Sequence, residues 1–218
     1  MMSHDLNPSQ SLDISYMAPL RPGFKYPVAD ELYSSGRWKD LTSLTLNNLW
    51  CTREGLNHLT AFLSEHGNLE TLNFNPTGAK TADLVLPQNT LPYLKELNAD
   101  RDFVKAILSC DPEASRPLRT LKGIDLKGSE SDPAFFENLE RIGGKITRVD
   151  LAGWGEMKDL RNFLQYVPNL TWLDVRHDGL GHIPNRATKA YGVVSIISQF
   201  VRLRHWYAKM TIRRSGRK

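Results

Sequence analysis

His177, Asp178 and His182 fall within six residues of one another and are side-chain types that hold divalent metals. A metal site needs three or four such ligands. With no cysteine or further histidine close by, no metal is expected there. Gly143-Gly144 has the composition of a phosphate cradle, but it follows an apolar helical stripe, where glycine ordinarily stops the helix. His58 and His66 lie eight apart on a predicted helix and read as solvated. Cys51 and Cys110 occupy non-equivalent places without a framework spacing, and read as reduced, buried thiols of an intracellular protein. The chain has no Gly-x-x-x-x-Gly-Lys-Ser/Thr loop, no Gly-x-Ser-x-Gly elbow and no His-Glu-x-x-His helix. No nucleophile has a base at a recognisable spacing. The sequence predicts neither an enzyme nor a cofactor.

What remains is the chemistry of a binding surface. Asp125, Asp150 and Asp174 each stand fifth in a six-residue segment, in LKGIDL, ITRVDL and LTWLDV. The equivalent column continues through Thr45, Asn73 and Asn98 on one side and Arg204 on the other. Stacked on parallel strands about 4.8 Å apart, the three aspartates make a close acidic row. Like charges at that spacing repel, and Lys127, Arg148 and Arg176 flank the row and offset it. Trp172 and Trp206 fall on the same outward side, next to Arg176, Arg202 and Arg204. Exposed aromatics beside arginine are the usual make-up of a binding hot spot. The candidate partner-binding residues are therefore Asp125, Asp150, Trp172, Asp174, Arg176, Arg202, Arg204 and Trp206. Trp50 and Trp154 follow strands and are expected to pack at the rim or under the returning segments.

The elements that position these residues are visible as a repeat. Segments of the type Leu-x-x-Leu-x-Leu open at Leu41, Leu69, Leu94, Leu121, Ile146, Leu170 and, more loosely, Phe200, at intervals of 28, 25, 27, 25, 24 and 30 residues. A unit of that length cannot bury its own apolar face and must stack on its neighbours. The expected fold is α/β: a leucine-rich-repeat solenoid with a curved parallel sheet, and helices and irregular arcs on the convex side. Within each segment the fourth and sixth residues face the core, and the third and fifth face the concave side. Leu44, Leu72, Leu97, Ile124, Val149 and Leu173 are the predicted core positions.

The returning segments follow helical spacing unevenly. Leu56, Leu59, Phe62 and Leu63 recur on one face, with Thr52 as N-cap. Asp132, Pro133 and Gly143 bracket a helix carrying Phe135, Phe136 and Leu139. Met157 to Val167 gives another stripe, and Asp102 to Cys110 a shorter one. Residues 75–92 hold Pro76, Gly78, Pro87 and Pro92 and predict an extended arc. Residues 1–37 are expected to be a flexible segment and partial cap, with Trp38 closing the first repeat. Residues 38–207 form the repeat region and residues 208–218 a basic tail. The chain carries 28 Lys and Arg against 24 Asp and Glu, but residues 202–218 hold seven bases and no acid. A mildly acidic body thus ends in a segment suited to phosphate or an acidic partner.

The segment LPYLKELNADRDFVKAILSCDPEASRPLRTLKGIDL, residues 91–126, resembles the leucine-rich repeats that follow the F-box in fungal, basidiomycete-type F-box proteins. The likeness rests on Leu-Pro-x-Leu leading into a strand, a helix of the type DFVKAIL, and Arg-Pro-Leu before the next strand. It extends over about residues 38–207. The resemblance implies a substrate-recognition module of a cullin-type ubiquitin ligase. Residues 1–40 lack the Leu-Pro start and amphipathic series of an F-box. The longer consensus places Asn or Cys ninth in each repeat, where this chain has Leu49, Thr77, Asp102, Ser129, Trp154 and Asp178.

Two function classes follow. One is a protein-interaction scaffold that binds a protein partner, with cullin-ligase subunits among the partners the resemblance implies. The other is a nucleic-acid-associated protein using its basic tail. No apolar run reaches the roughly 20 residues of a membrane span, and the N-terminus lacks the basic stretch and apolar core of a secretion signal. The expected location is intracellular, cytoplasmic or nuclear.

Overall fold

The computed structural model describes residues 11–16, 28–78, 81–111, 113, 115–128 and 132–175. Arg176, His177, Asp178, His182, Arg202, Arg204, Trp206 and the basic tail lie outside the described residues. The chain divides into two compact units, residues 1–117 and 118–218.

The first unit contains strands β1 (Ser11–Ser15), β2 (Ser43–Cys51), β3 (Thr71–Gly78) and β4 (Glu96–Ala99), and helices α1 (Asp30–Ser35), α2 (Arg53–Glu65) and α3 (Arg101–Ser109). The strands pair in chain order and all in parallel, with Leu12, Leu44, Leu72 and Leu97 in one register row. Leucine and phenylalanine alternate with polar residues, so one face is buried throughout. α2 and α3 lie against it, bringing Phe74 to 4.5 Å from Phe103 between ring centres. Thr52 caps α2 by accepting from Gly55 N at 3.0 Å, and Asp100 caps α3 by accepting from Phe103 N at 2.8 Å. The proline-rich stretch 75–92 begins as the end of β3, which includes Pro76, and among its remaining described residues forms a short 3-10 turn, Thr81–Asp83, and no α-helix.

Two features of this unit go beyond the repeat pattern. β1 lies in the segment expected to be flexible, where Leu12 and Ile14 alternate with Ser11, Asp13 and Ser15. α1 packs on α2 through Tyr33, whose ring centre is 5.9 Å from that of Phe62. At the far end Arg116 is buried and donates to the carbonyls of Leu91 (2.9 Å), Ile107 (2.6 Å) and Thr90 (2.6 Å). Its backbone N–H is accepted by Asp111 Oδ2 at 3.0 Å.

The second unit, described as far as Val175, contains β5 (Thr120–Asp125), β6 (Arg148–Gly153) and β7 (Trp172–Val175) with helices α4 (Pro133–Ile142) and α5 (Met157–Gln165). Its strand pairs are again parallel. Asp132 caps α4 through Phe135 N, and a reciprocal Glu156–Asp159 box caps α5. All strand pairs in both units are parallel, and the architecture is α/β.

The same local geometry recurs within both units. Thr42 O accepts the N–H groups of Glu70 and Thr71 at 2.8 and 3.0 Å, and Glu70 O accepts those of Lys95 and Glu96 at 2.8 and 3.0 Å. In the second unit Arg119 O accepts from Thr147 and Arg148 at 2.9 and 3.1 Å, and Thr147 O from Thr171 and Trp172 at 2.8 and 3.0 Å. Even a side chain repeats: Asn68 Nδ2 donates to Lys39 O at 3.0 Å, and Asn169 Nδ2 to Gly144 O at 2.6 Å.

This register corrects the fourth repeat. Leu121, not Ile124, pairs with Val149, so the unit opens at Leu118 and the repeat openings run 41, 69, 94, 118, 146 and 170. Leu118, Leu121 and Ile124 are spaced by three, so the motif reads equally well in two frames. Gly123, at φ 81°, allows a bulge that buries both Leu121 and Ile124.

Candidate functional site

The outward face of the second unit is built by alternation. Thr120 and Lys122 on β5, Arg148 and Asp150 on β6, and Trp172 and Asp174 on β7 share one side, opposite Leu121, Val149 and Leu173. Register places Arg148 beside Trp172, and Asp150 between Lys122 and Asp174. The Arg148 guanidinium carbon lies 4.8 Å from the indole centroid, within range of a cation–π contact. Arg148 Nη2 also reaches Asp150 Oδ2 at 3.4 Å. One arginine therefore bridges an aromatic and a carboxylate on neighbouring strands.

Four expectations change here. Asp125 does not stand in the acidic row. After the Gly123 bulge it pairs with Gly153, accepts from Lys127 N at 2.9 Å and holds the turn leaving β5. The row is Lys122, Asp150, Asp174, with a base on β5 where a third acid was expected. Trp172 points outward as its alternation requires, but it is half-buried with its indole N–H sequestered from solvent and Arg148 over its ring. Asp150 is only 6% exposed, far less than a solvated surface carboxylate. Trp50 is a member of β2 rather than a residue following it. A bulge between Asn47 and Trp50 turns it outward, 43% exposed and bridged to Val28. Trp154 is packed, as expected.

The outward face of the first unit carries a network the sequence reading did not single out. Asn98 Nδ2 and Asn75 Nδ2 both donate to Asn73 Oδ1, at 2.9 and 2.7 Å. Asn75 Nδ2 also donates to Asn47 Oδ1 at 3.0 Å, Asn47 Nδ2 to Ser15 Oγ at 3.1 Å, and Ser15 Oγ to Asp13 Oδ1 at 2.7 Å. Six side chains on four strands form one connected network, in which Asn73 accepts from both Asn98 and Asn75 and the donors run on from Asn75 through Asn47 and Ser15 to Asp13. The signal was present as Asn-x-Asn at 73–75 with Asn47 and Asn98 at repeat-equivalent places. The two faces thus differ in chemistry: amides and hydroxyls on the first unit, charges and an indole on the second.

Among the described residues no cluster of His, Cys, Asp and Glu is arranged to hold a metal ion. Cys51 and Cys110 are buried free thiols, and burial, helped by the nearby Asp30 charge, pushes the Cys51 thiol up to about 11. That is the opposite of an activated nucleophile. His58 is exposed as expected, but His66 is buried, 2% exposed, against the solvated role expected of it. No helix among the described residues is long and apolar enough to cross a membrane. No family model and no curated protein matches the chain.

Proposed function

We propose that this chain is a leucine-rich-repeat protein that acts as an interaction scaffold, binding a protein partner through the outward strand face of its second unit. The observation that carries this reading is the Arg148–Trp172–Asp150 arrangement. An indole and an arginine held together on a strand face, beside a mostly buried carboxylate, have the composition of a hot spot already fixed in shape. Asp174 and Lys122 border it and supply charge of both signs. Arg176, Arg202, Arg204 and Trp206 extend the proposed surface by sequence alone. The resemblance of residues 91–126 to repeats of F-box proteins supports a further proposal, substrate recognition for a cullin-type ubiquitin ligase.

The test is affinity purification of the full chain with mass spectrometry, repeated with Trp172→Ala and with Asp150→Asn. A partner held by the face is recovered with the native chain and lost with both variants. Recovery unchanged by either variant removes the face from the reading. Recovery of cullin-ligase subunits supports the ligase proposal, and their consistent absence counts against it.

A second reading rests on the seven bases and no acids of residues 202–218. Here the chain is nucleic-acid-associated and the tail supplies phosphate contacts. Such binding weakens log-linearly and steeply with salt, whereas an aromatic-centred protein contact weakens little.

A further inference from the structure

His66 caps the C-terminal end of α2, and each of its ring nitrogens has a backbone partner. Nδ1 is 2.7 Å from Phe62 O, and Nε2 is 3.1 Å from Trp38 N. A carbonyl oxygen only accepts and a backbone amide only donates, so the tautomer is dictated. Nδ1 carries the hydrogen, Nε2 carries the lone pair, and the ring is neutral. The imidazole lies stacked on Phe62, 4.1 Å between ring centres.

The contact spans 28 residues of chain and joins two different elements. Trp38 belongs to the segment that follows α1, and its indole meets Phe62 edge-on at 6.1 Å. Leu41 N–H donates to Trp38 O at 3.1 Å, so Trp38 also sets the entry into the first repeat. The other end of α1 is tied separately, by Asp30, whose carboxylate accepts from both Thr52 N (3.3 Å) and Thr52 Oγ1. Thus a histidine lone pair holds the segment after α1, while Asp30 and the Ala29 N–H, which donates to Trp50 O at 2.9 Å, hold the N-terminal end of α1.

Adding a proton to the ring places a hydrogen on Nε2, facing the Trp38 N–H. Two donors cannot share a bond, and the new charge is buried. Stacking on Phe62 gives a cation some return, but it does not restore the lost acceptor. We infer that His66 is a proton-operated latch that holds the Gly36–Leu41 segment on α2 when neutral and releases it when protonated. The charged groups around it are Arg37 and Glu65, ion-paired at 2.7 Å, with Lys39 and Asp40 on the exposed turn after Trp38. Tyr33 of α1, on the other side of Phe62, is buried, and burial pushes its phenol up.

The test is hydrogen exchange at the Trp38 amide from pH 7.5 to pH 5.0, corrected for the intrinsic rate, on the full chain. The latch predicts at least about a tenfold loss of Trp38 protection, while the Leu59 and Leu63 amides inside α2 keep theirs. His66→Gln places an amide oxygen for Trp38 N–H and an amide N–H for Phe62 O, so its Trp38 protection stays level. Glu65→Gln breaks the ion pair and keeps the latch, so the loss with acid persists. If His66→Gln does not fold, ring nitrogen shifts of the native chain decide. Nε2 must be unprotonated at pH 7.5, and its titration must share a midpoint with the Trp38 amide. Protection that is level in the native chain, an Nε2–H tautomer at neutral pH, or an acid effect abolished by Glu65→Gln overturns the inference.

Discussion

Arg148 and Trp172 are register partners on β6 and β7, and the arginine's guanidinium carbon sits 4.8 Å from the centre of the indole. Neither side chain reaches the other through sequence proximity; the 24-residue repeat brings them together. Cation–π contacts are worth about 0.5–1 kcal/mol when exposed and about 2 kcal/mol when desolvated, so a half-buried one falls within that span. A double-mutant cycle of Arg148→Ala and Trp172→Ala, measured by urea titration, should return a coupling of that size. A coupling near zero would mean that the indole and guanidinium do not interact in solution.

Leu173 is 6% exposed and stands in the same row as Leu121 and Val149. Leu173→Ala should destabilise by about 2–5 kcal/mol, the range for a leucine removed from a closed core. A loss below about 0.5 kcal/mol is the signature of a surface site and would reverse the strand's two faces.

Gly143 and Gly144 are adjacent and should respond oppositely to alanine. A Cβ at Gly143 would run into the Tyr166 carbonyl, whereas a Cβ at Gly144 meets nothing within 4 Å. Gly143→Ala should cost about 1–3 kcal/mol through forced backbone movement. Gly144→Ala should be neutral or stabilise by about 0.4–1 kcal/mol, by narrowing the unfolded ensemble. Thermal melts of the two variants check the contrast, and equal shifts would contradict it.

Tyr33 buries its hydroxyl, and among the described residues no group is placed to bond it. Tyr33→Phe keeps the ring on Phe62 and removes the stranded oxygen, so stability should rise by about 1 kcal/mol. A decrease of similar size would indicate that the hydroxyl is bonded through water.

Asp111 supplies the pH dependence. Burial alone would raise its carboxyl, but hydrogen bonds from Arg116 N and Ser115 N, with the Arg116 charge, outweigh burial and hold it below the usual range. A carboxyl lowered on folding contributes stability that is present above its unfolded value, near pH 4, and lost as pH falls through the folded one. Asp111→Asn should therefore destabilise by about 1–3 kcal/mol at pH 6, and the difference from the native chain should shrink toward pH 2.5. Denaturant titrations at the two pH values measure this directly.

The sequence was most legible where one chain signal decides one local structure. Thr52 and Asp132 announce their helices because a cap acts three residues away, and Leu44, Leu72 and Leu97 align as their repeat spacing predicts. Legibility failed where the signal is degenerate or distant. Leu118, Leu121 and Ile124 allow two frames, and only the pairing with β6 selects one, which moved Asp125 out of the acidic row. α3 was expected from Asp102, yet Asp100 caps it two residues earlier. His66 meets Trp38, and Trp172 meets Arg148, each a full repeat away. Polar residues on a strand face look solvated until their neighbours across the ladder are known.

The paired bonds to Thr42, Glu70, Arg119 and Thr147 have an evolutionary consequence. Repeats that open 28 residues apart, as at Leu41 and Leu69, and 24 apart, as at Ile146 and Leu170, meet in the same two-to-one carbonyl bridge. A repeat can therefore gain or lose a helical turn's worth of chain without shifting its strand. Insertions and deletions are tolerated in the returning segments, while the strand faces stay in step. A chain built this way can lengthen or shorten its units and still keep its strand faces aligned within each unit, so that point substitutions on those faces change surface chemistry without changing register.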